Sequence, residues 1–358
     1  MLLSRLRVHG IGPLGDLTFD FTGSAGEERP RAATVVLGGA GVGKTSLLSA
    51  IASTRPGHAI VQARRATTSA ADPPYVVGDW LTGDDDPARP HPLTVVTPNA
   101  MLAGEEDDAA LRRRREQAFF ERRAHEGGFV LVALSGARWF GRAALHLSAP
   151  ERTLARWDVR TSASFDDATR ADLARETKQV LAYASIGAAL AGETLDASSR
   201  AMAYFDRAVR GAVDELVRPA GYAYLGPDPS TLEPLFRASE GAPVSFDDLP
   251  TGVRHLVAFA ALPVRALFAA YGAAATDVDP RRAEGVVLID DADAHLDLAV
   301  QRTLVPSLRA ALPRVQWIVT TASPAIAQGC DPTEVLALRR LPASPSVELF
   351  DGDLARIH

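Results

Sequence analysis

The chain has 358 residues, 47% hydrophobic and 23% charged, an ordinary balance that argues against a mostly disordered or fibrous protein. Its length allows two domains or one large α/β domain with insertions. With 38 basic and 44 acidic side chains the net charge is −6. The basic excess from which nucleic-acid binders draw most of their affinity is therefore absent, and any DNA contact is expected to be local or to come through a partner. The single cysteine, Cys330, excludes an intrachain disulfide and a cysteine-based metal cluster. The opening MLLSRLRVHGIGPLGD lacks the apolar run of a signal peptide, so a cytoplasmic protein is expected. Only Lys44 and Lys178 are lysines among the 38 basic residues; in so arginine-biased a chain, Lys44 is expected where arginine will not serve.

In chain order, residues 2–8 alternate loosely and residues 17–21 strictly, with Gly10-Ile11-Gly12-Pro13 between them, which predicts two antiparallel strands. Ala33–Leu37 is a short β-branched run that suits a buried parallel strand. It leads through Gly38-Gly39-Ala40-Gly41-Val42-Gly43-Lys44-Thr45-Ser46 into an apolar helix. Strands are expected at 75–81 and 92–97, with Asp84, Asp85 and Asp86 in a solvated loop, then a charged helix over 105–126 and a strand at 129–134. Residues 165–219 read as two helices forming a lobe. The last third predicts a helix at 252–271, a strand at 285–289, a helix at 297–312 and strands at 316–320, 334–338 and 346–350. The apolar stretch from Leu256 to Ala275 is interrupted by Pro263 and Arg265 and reads as a buried helix rather than a membrane span.

Gly38-x4-Gly43-Lys44-Thr45 is a complete phosphate-binding loop in its strand–loop–helix context. Its glycines let consecutive N–H groups turn toward phosphate oxygens at the positive end of a helix. Lys44 can reach the β and γ oxygens, and the Thr45 hydroxyl can ligate Mg²⁺. Residues 284–291, EGVVLIDD, form an apolar strand ending in two carboxylates. Asp290 is the candidate to share Mg²⁺ with Thr45, and Asp291 to position the attacking water.

These motifs, with the opening LLSRLRVHGIGPLGDLTFDF, residues 284–297 EGVVLIDDADAHLD and residues 314–324 RVQWIVTTASP, resemble ABC-type P-loop ATPases of the RecF/SMC-like group. The resemblance covers roughly residues 1–52 and 225–325. It implies one α/β ATPase domain over 1–358, with a mixed core sheet. Residues 53–150 would hold an antiparallel β subdomain and charged helix, and residues 160–222 a helical lobe. It also implies a head-to-tail homodimer closed by ATP and Mg²⁺, each nucleotide held between one subunit's phosphate loop and the other's signature motif. LPTGVRHL at 249–256 stands in the signature position, so Thr251 and Gly252 become nucleotide contacts in trans. Work in DNA repair, recombination or anti-phage defence beside a protein partner such as a nuclease is implied as well.

The sequence departs from that pattern at several points. Asp291 replaces the catalytic glutamate, Ala322 replaces the switch histidine, and Pro250-Thr251-Gly252-Val253 replaces Ser-x-Gly-Glu. ATP binding with slow hydrolysis is the expectation; a non-hydrolysing nucleotide clamp and a direct DNA-binding repair protein are the alternatives. Gln62 and Gln117 are the candidates for the glutamine loop. Asp290, Asp293, His295 and Asp297 could imitate a metal cluster, but a strand end and the loop after it explain them better. Trp80, Trp139 and Trp317 read as core or edge packing rather than base-stacking platforms.

Overall fold

The alternation at the start of the chain becomes β1 (Leu2–Ile11) and β2 (Gly15–Asp20), an antiparallel pair in the computed structural model of the protein. Residues 1–23, 29–55, 74–81, 93–97, 105–124, 129–150, 172–191, 196–272, 279–342 and 346–353 are described. Asp84, Asp85, Asp86 and Gln62 lie outside them. Leu6, Val8 and Phe19 face inward while Arg5 and Arg7 face out, the period-2 pattern of a half-buried sheet. β4 (Tyr75–Leu81) and β5 (Leu93–Thr97) extend this pair to a sheet of order β2-β1-β4-β5.

The buried run at 33–37 becomes β3 (Ala33–Gly38), followed by α1 (Lys44–Ser53). The charged segment forms α2 (Asp107–Arg123), whose Phe120 is buried and whose Arg113 makes a bidentate pair with Glu105. β6 (Leu131–Leu134) follows, then the helices α3 (Ala174–Ala191) and α4 (Ala197–Val217). A hairpin that the sequence pattern did not announce comes next: β7 (Tyr222–Pro227), β8 (Pro234–Ala238) and β9 (Val244–Ser245). Its alternation is broken by a register shift between Tyr224 and Gly226, which conceals the period.

α5 (Thr251–Leu267) runs straight through Pro263 and only then widens into a π turn at Phe268–Gly272. Proline inside a helix costs about 3 kcal/mol, and burial of nearly every α5 side chain from Val253 onward offsets it. By length and composition Thr251–Tyr271 could cross a membrane, at mean hydropathy 1.5, yet 78% of that window is buried inside the molecule. The chain continues through β10 (Gly285–Ile289), α6 (Leu298–Ala311), β11 (Val315–Thr321), α7 (Pro324–Gln328), β12 (Val335–Arg340) and β13 (Val347–Asp351).

The central sheet has the order β13-β12-β3-β11-β10-β6, parallel except for the edge strand β13. One hydrophobic cluster joins it to α1 and the antiparallel sheet; the other joins it to α3, α4, α5 and α6. Both faces are thus covered, as a parallel sheet requires.

Candidate functional site

The phosphate loop leaves β3 at the carboxyl end of the central sheet, with β11 on one side and β12 on the other. Gly41 and Gly43 take positive φ values of 74° and 101°, which a Cβ would strain. Gly43 caps α1, and a Cβ there would lie 2.6 Å from Leu14 and 3.2 Å from Pro13, so the β1–β2 turn braces the loop. Lys44 donates from Nζ to the Gly38 carbonyl at 2.8 Å and the Gly39 carbonyl at 2.9 Å. Gly39, Ala40 and Gly41 are exposed, Val42 is buried and Ser46 is half-buried. Arg340, at the end of β12, donates to the Gly41 carbonyl at 3.3 Å.

Thr45 follows Lys44 into the first turn of α1 and donates from Oγ1 to Asp290 Oδ2 at 2.7 Å. The other Asp290 oxygen accepts from Thr320 Oγ1 at 2.6 Å. A hydroxyl beside a buried carboxylate, at the positive end of a helix, is a donor set suited to Mg²⁺. Asp291 comes next, with a left-handed φ of 43°. Its N–H donates to Thr320 Oγ1 at 2.9 Å. Burial, and then the neighbouring Asp290, push the Asp291 carboxyl above the usual carboxylate range, against the pull of Lys44.

The loop after β10 divides its acids among separate tasks. Asp293 accepts from Thr321 Oγ1 at 2.5 Å and from the Ala322 N–H at 3.3 Å, and Asp297 caps α6 by accepting from Val300 at 2.9 Å. Among the described residues no group of three or more His, Cys, Asp or Glu is arranged to hold a metal ion. Thr251 accepts from Arg254 at 3.2 Å, and a Cβ on Gly252 would come within 2.3 Å of the His295 carbonyl. Thr251 and Gly252 therefore sit against the loop that follows Asp291.

One turn into α5, His255 is 1% exposed, stacked on His295 at 5.2 Å and tilted against Phe140 at 5.0 Å. Burial, helped by the charge of Arg138, pulls its pKa from 6.5 down to about 3. The unfolded chain therefore takes up a proton near pH 6.5 that the folded chain refuses until about pH 3. This stability is fully present above pH 6.5 and is lost as the pH falls toward 3, roughly 5 kcal/mol in all. Denaturant titrations at pH 7 and pH 4 should show a smaller acid loss in His255→Phe than in the wild type.

The fold brings Lys44, Thr45, Asp290 and Asp291 to one end of the sheet, whereas Gly252, with Thr251 before it, meets the loop after β10. Gln117 lies on α2, accepting from Val96 N at 3.5 Å. The segment beside the acids is instead Ser135 to Arg138, directly after β6. Arg138 is 5% exposed and donates to the backbone carbonyls of Asp290 and Asp291, the latter at 2.7 Å. Burial pulls its pKa down to about 10 against the attraction of Asp290, Asp291 and Asp293. Trp80 and Trp317 are buried, and Trp139 is 51% exposed. Strand adjacency, not sequence spacing, brings Arg138 and Thr320 here. The usable signal was an arginine just past the end of a buried strand.

The sequence matches no protein-family model and no curated protein. Solved structures match across the whole chain. An SMC head bound to the C-terminal winged-helix domain of ScpA superposes with a TM-score of 0.55 at 12% identity, over 100% of both chains. The Pyrococcus furiosus Smc head domain, with an extended coiled coil and bound to the C-terminal domain of ScpA, gives 0.50 at 14% identity, over 99% of this chain and 97% of that one. The fold is that of an SMC head, an α/β architecture with a mostly parallel central sheet.

Proposed function

We propose that the chain is an ATP-binding switch that hydrolyses ATP slowly and dimerises when ATP is bound. The observation that carries this reading is the Thr45–Asp290 hydrogen bond of 2.7 Å at the head of α1, beside Lys44. Thr45 and Asp290 would hold Mg²⁺, and the loop N–H groups from Gly39 to Lys44 would hold the phosphates. Mg²⁺ supplies charge neutralisation at the phosphate oxygens. Asp291 would act on the attacking water as its general base. The Ala322 N–H is already given to Asp293 and its methyl carries no donor, which supports slow turnover. Asp291→Glu is expected to raise phosphate release and Asp291→Asn to abolish it, because placement of the water within about 1 Å is worth roughly 100-fold. Asp290→Asn should instead weaken Mg²⁺-dependent binding. If Asp291→Asn is as fast as wild type, the carboxylate has no catalytic part.

Dimerisation is supported by Gly252 at the head of α5, able to offer its N–H in trans. Leu298 lies close by in sequence to its contact His295 and is 62% exposed. Light scattering should report a dimer for the Asp291→Asn chain with Mg-ATP, and a monomer without nucleotide or with ADP. An unchanged mass in all these states would exclude the switch. The strained φ and the short side chain of Asp291 favour a second reading, a clamp that binds ATP without hydrolysis. Steady-state phosphate release separates the two. We further read the chain as one cytoplasmic ATPase domain with two insertions, acting with a protein partner in DNA repair or anti-phage defence. That placement is supported by the motif resemblance and by the protein-bound heads among the similar structures.

A further inference from the structure

The carboxyl end of β10 is fastened from both sides. On the β11 side, Thr320 binds Asp290 and Asp291 through its hydroxyl and accepts the Ala292 N–H at its carbonyl, 2.8 Å away. On the β6 side the Asp290 N–H donates to the Leu134 carbonyl at 2.9 Å, and the chain then turns back over the acids. A Cβ on Gly136 would lie 2.9 Å from Asp291 Oδ2 and 3.2 Å from Asp290 Oδ2. Two residues on, Arg138 is almost wholly buried. Its Nη1 donates to the carbonyls of Ser135, at 3.0 Å, and of Asp290, while Nη2 donates to that of Asp291 at 2.7 Å. The guanidinium carbon lies 4.9 Å from the centre of the Phe259 ring of α5.

Asp290, Asp291 and Asp293 attract the guanidinium, yet its fork grips the peptide carbonyls of Asp290 and Asp291. The carboxylate oxygens of Asp290 and Asp291 are left to Thr45, to Thr320 and to the site. Asp291 meanwhile holds a left-handed φ of 43°, a conformation that an aspartate keeps only where its surroundings over-determine it. The planar fork does so by fixing both neighbouring carbonyls at once, which a lysine ammonium cannot do.

We propose that Arg138 is a positioning residue: by clamping the Asp290 and Asp291 carbonyls it aims the Asp291 carboxylate at the attacking water. This rests on the ATPase reading above. Because the same guanidinium lies on Phe259, the aim of the carboxylate is tied to the seating of α5.

The test uses Arg138→Lys, which keeps the charge and loses the fork, with Phe259→Leu, which keeps the fork and loosens its seat. In Arg138→Lys, kcat for ATP is expected to fall about 30–100-fold, while the Kd for Mg-ATP by calorimetry stays within about threefold. Amide exchange over Gly285–Asp293 should quicken about tenfold or more without nucleotide. Phe259→Leu should show a smaller loss of kcat at unchanged Kd, and it serves where Arg138→Lys fails to fold. Arg138→Lys turnover and exchange equal to wild type would overturn the proposal, as would parallel losses of kcat and ATP affinity. A wild-type chain that binds Mg-ATP without turnover would overturn the ATPase reading, and the catalytic half of this proposal with it. Wild-type turnover alongside an unaffected Arg138→Lys removes the positioning role alone.

Discussion

Exchange of Lys178 for methionine is expected to destabilise the protein by about 3–5 kcal/mol. The Lys178 side chain is 1% exposed, with Nζ 2.8 Å from Glu233 and 3.1 Å from Asp247, and it donates to the Ala143 carbonyl at 2.7 Å. Methionine fills the same space but leaves two carboxylates facing each other with no cation between them. Removing one member of a buried charge group costs more than the group contributes in place, because the remaining charges keep their desolvation penalty. The partners come from three elements: α3 carries the lysine, the turn between β7 and β8 carries Glu233, and the segment leading into α5 carries Asp247. Equilibrium urea unfolding measures the loss. Lys178→Arg should also destabilise, since the larger planar head must enter a pocket shaped for a compact ammonium. A Lys178→Met midpoint equal to that of the wild type would mean that the cluster contributes nothing net.

Lys44→Ala is expected to lower ATP affinity by about 2–5 kcal/mol, roughly 30-fold to several thousand-fold in Kd, with the fold intact. Lys44 is buried at the mouth of the loop, and its present partners are the carbonyls of Gly38 and Gly39. Those carbonyls adjoin exposed backbone and can turn to water when the lysine is gone, so circular dichroism and the unfolding midpoint should hardly move. Calorimetric titration with Mg-ATP is the measurement. Wild-type affinity in the variant would show that the loop holds no phosphate.

The phosphate loop and the acidic strand end were legible in the sequence because each is a local device: a strand, a fixed spacing and a helix start within a few residues. Most strands and helices were legible for the same reason, since alternation and helical spacing are written along the chain. What escaped was set by neighbours distant in sequence. Arg138 meets Asp290 and Asp291 because β6 lies beside β10 in the sheet, and Thr320 meets them because β11 lies on the other side; nothing in the spacing of these segments announces that order. The β7–β8 hairpin was hidden by its irregular register. Pro263 read as an interruption, since local propensity cannot foresee a helix packed over most of its length. Lys178 followed the same logic as Lys44, a lysine retained in an arginine-rich chain, but its acidic partners lie on segments that only the folded chain brings together.

The order of the central sheet also bears on how the protein comes into being at the ribosome. β3, which carries the phosphate loop, is made early, yet both strands that flank it, β11 and β12, are synthesised only long after it. Until they emerge, β3 has neither edge paired, and the loop has no fixed frame on which to turn its N–H groups inward. The frame of the phosphate-binding motif is thus completed only when those later strands pair with β3. Such long-range pairing slows folding and prolongs the exposure of apolar strand edges. A nucleotide held by this loop would therefore stabilise the fold only after β11 and β12 have been made, as a late consolidating ligand and not as a template for folding.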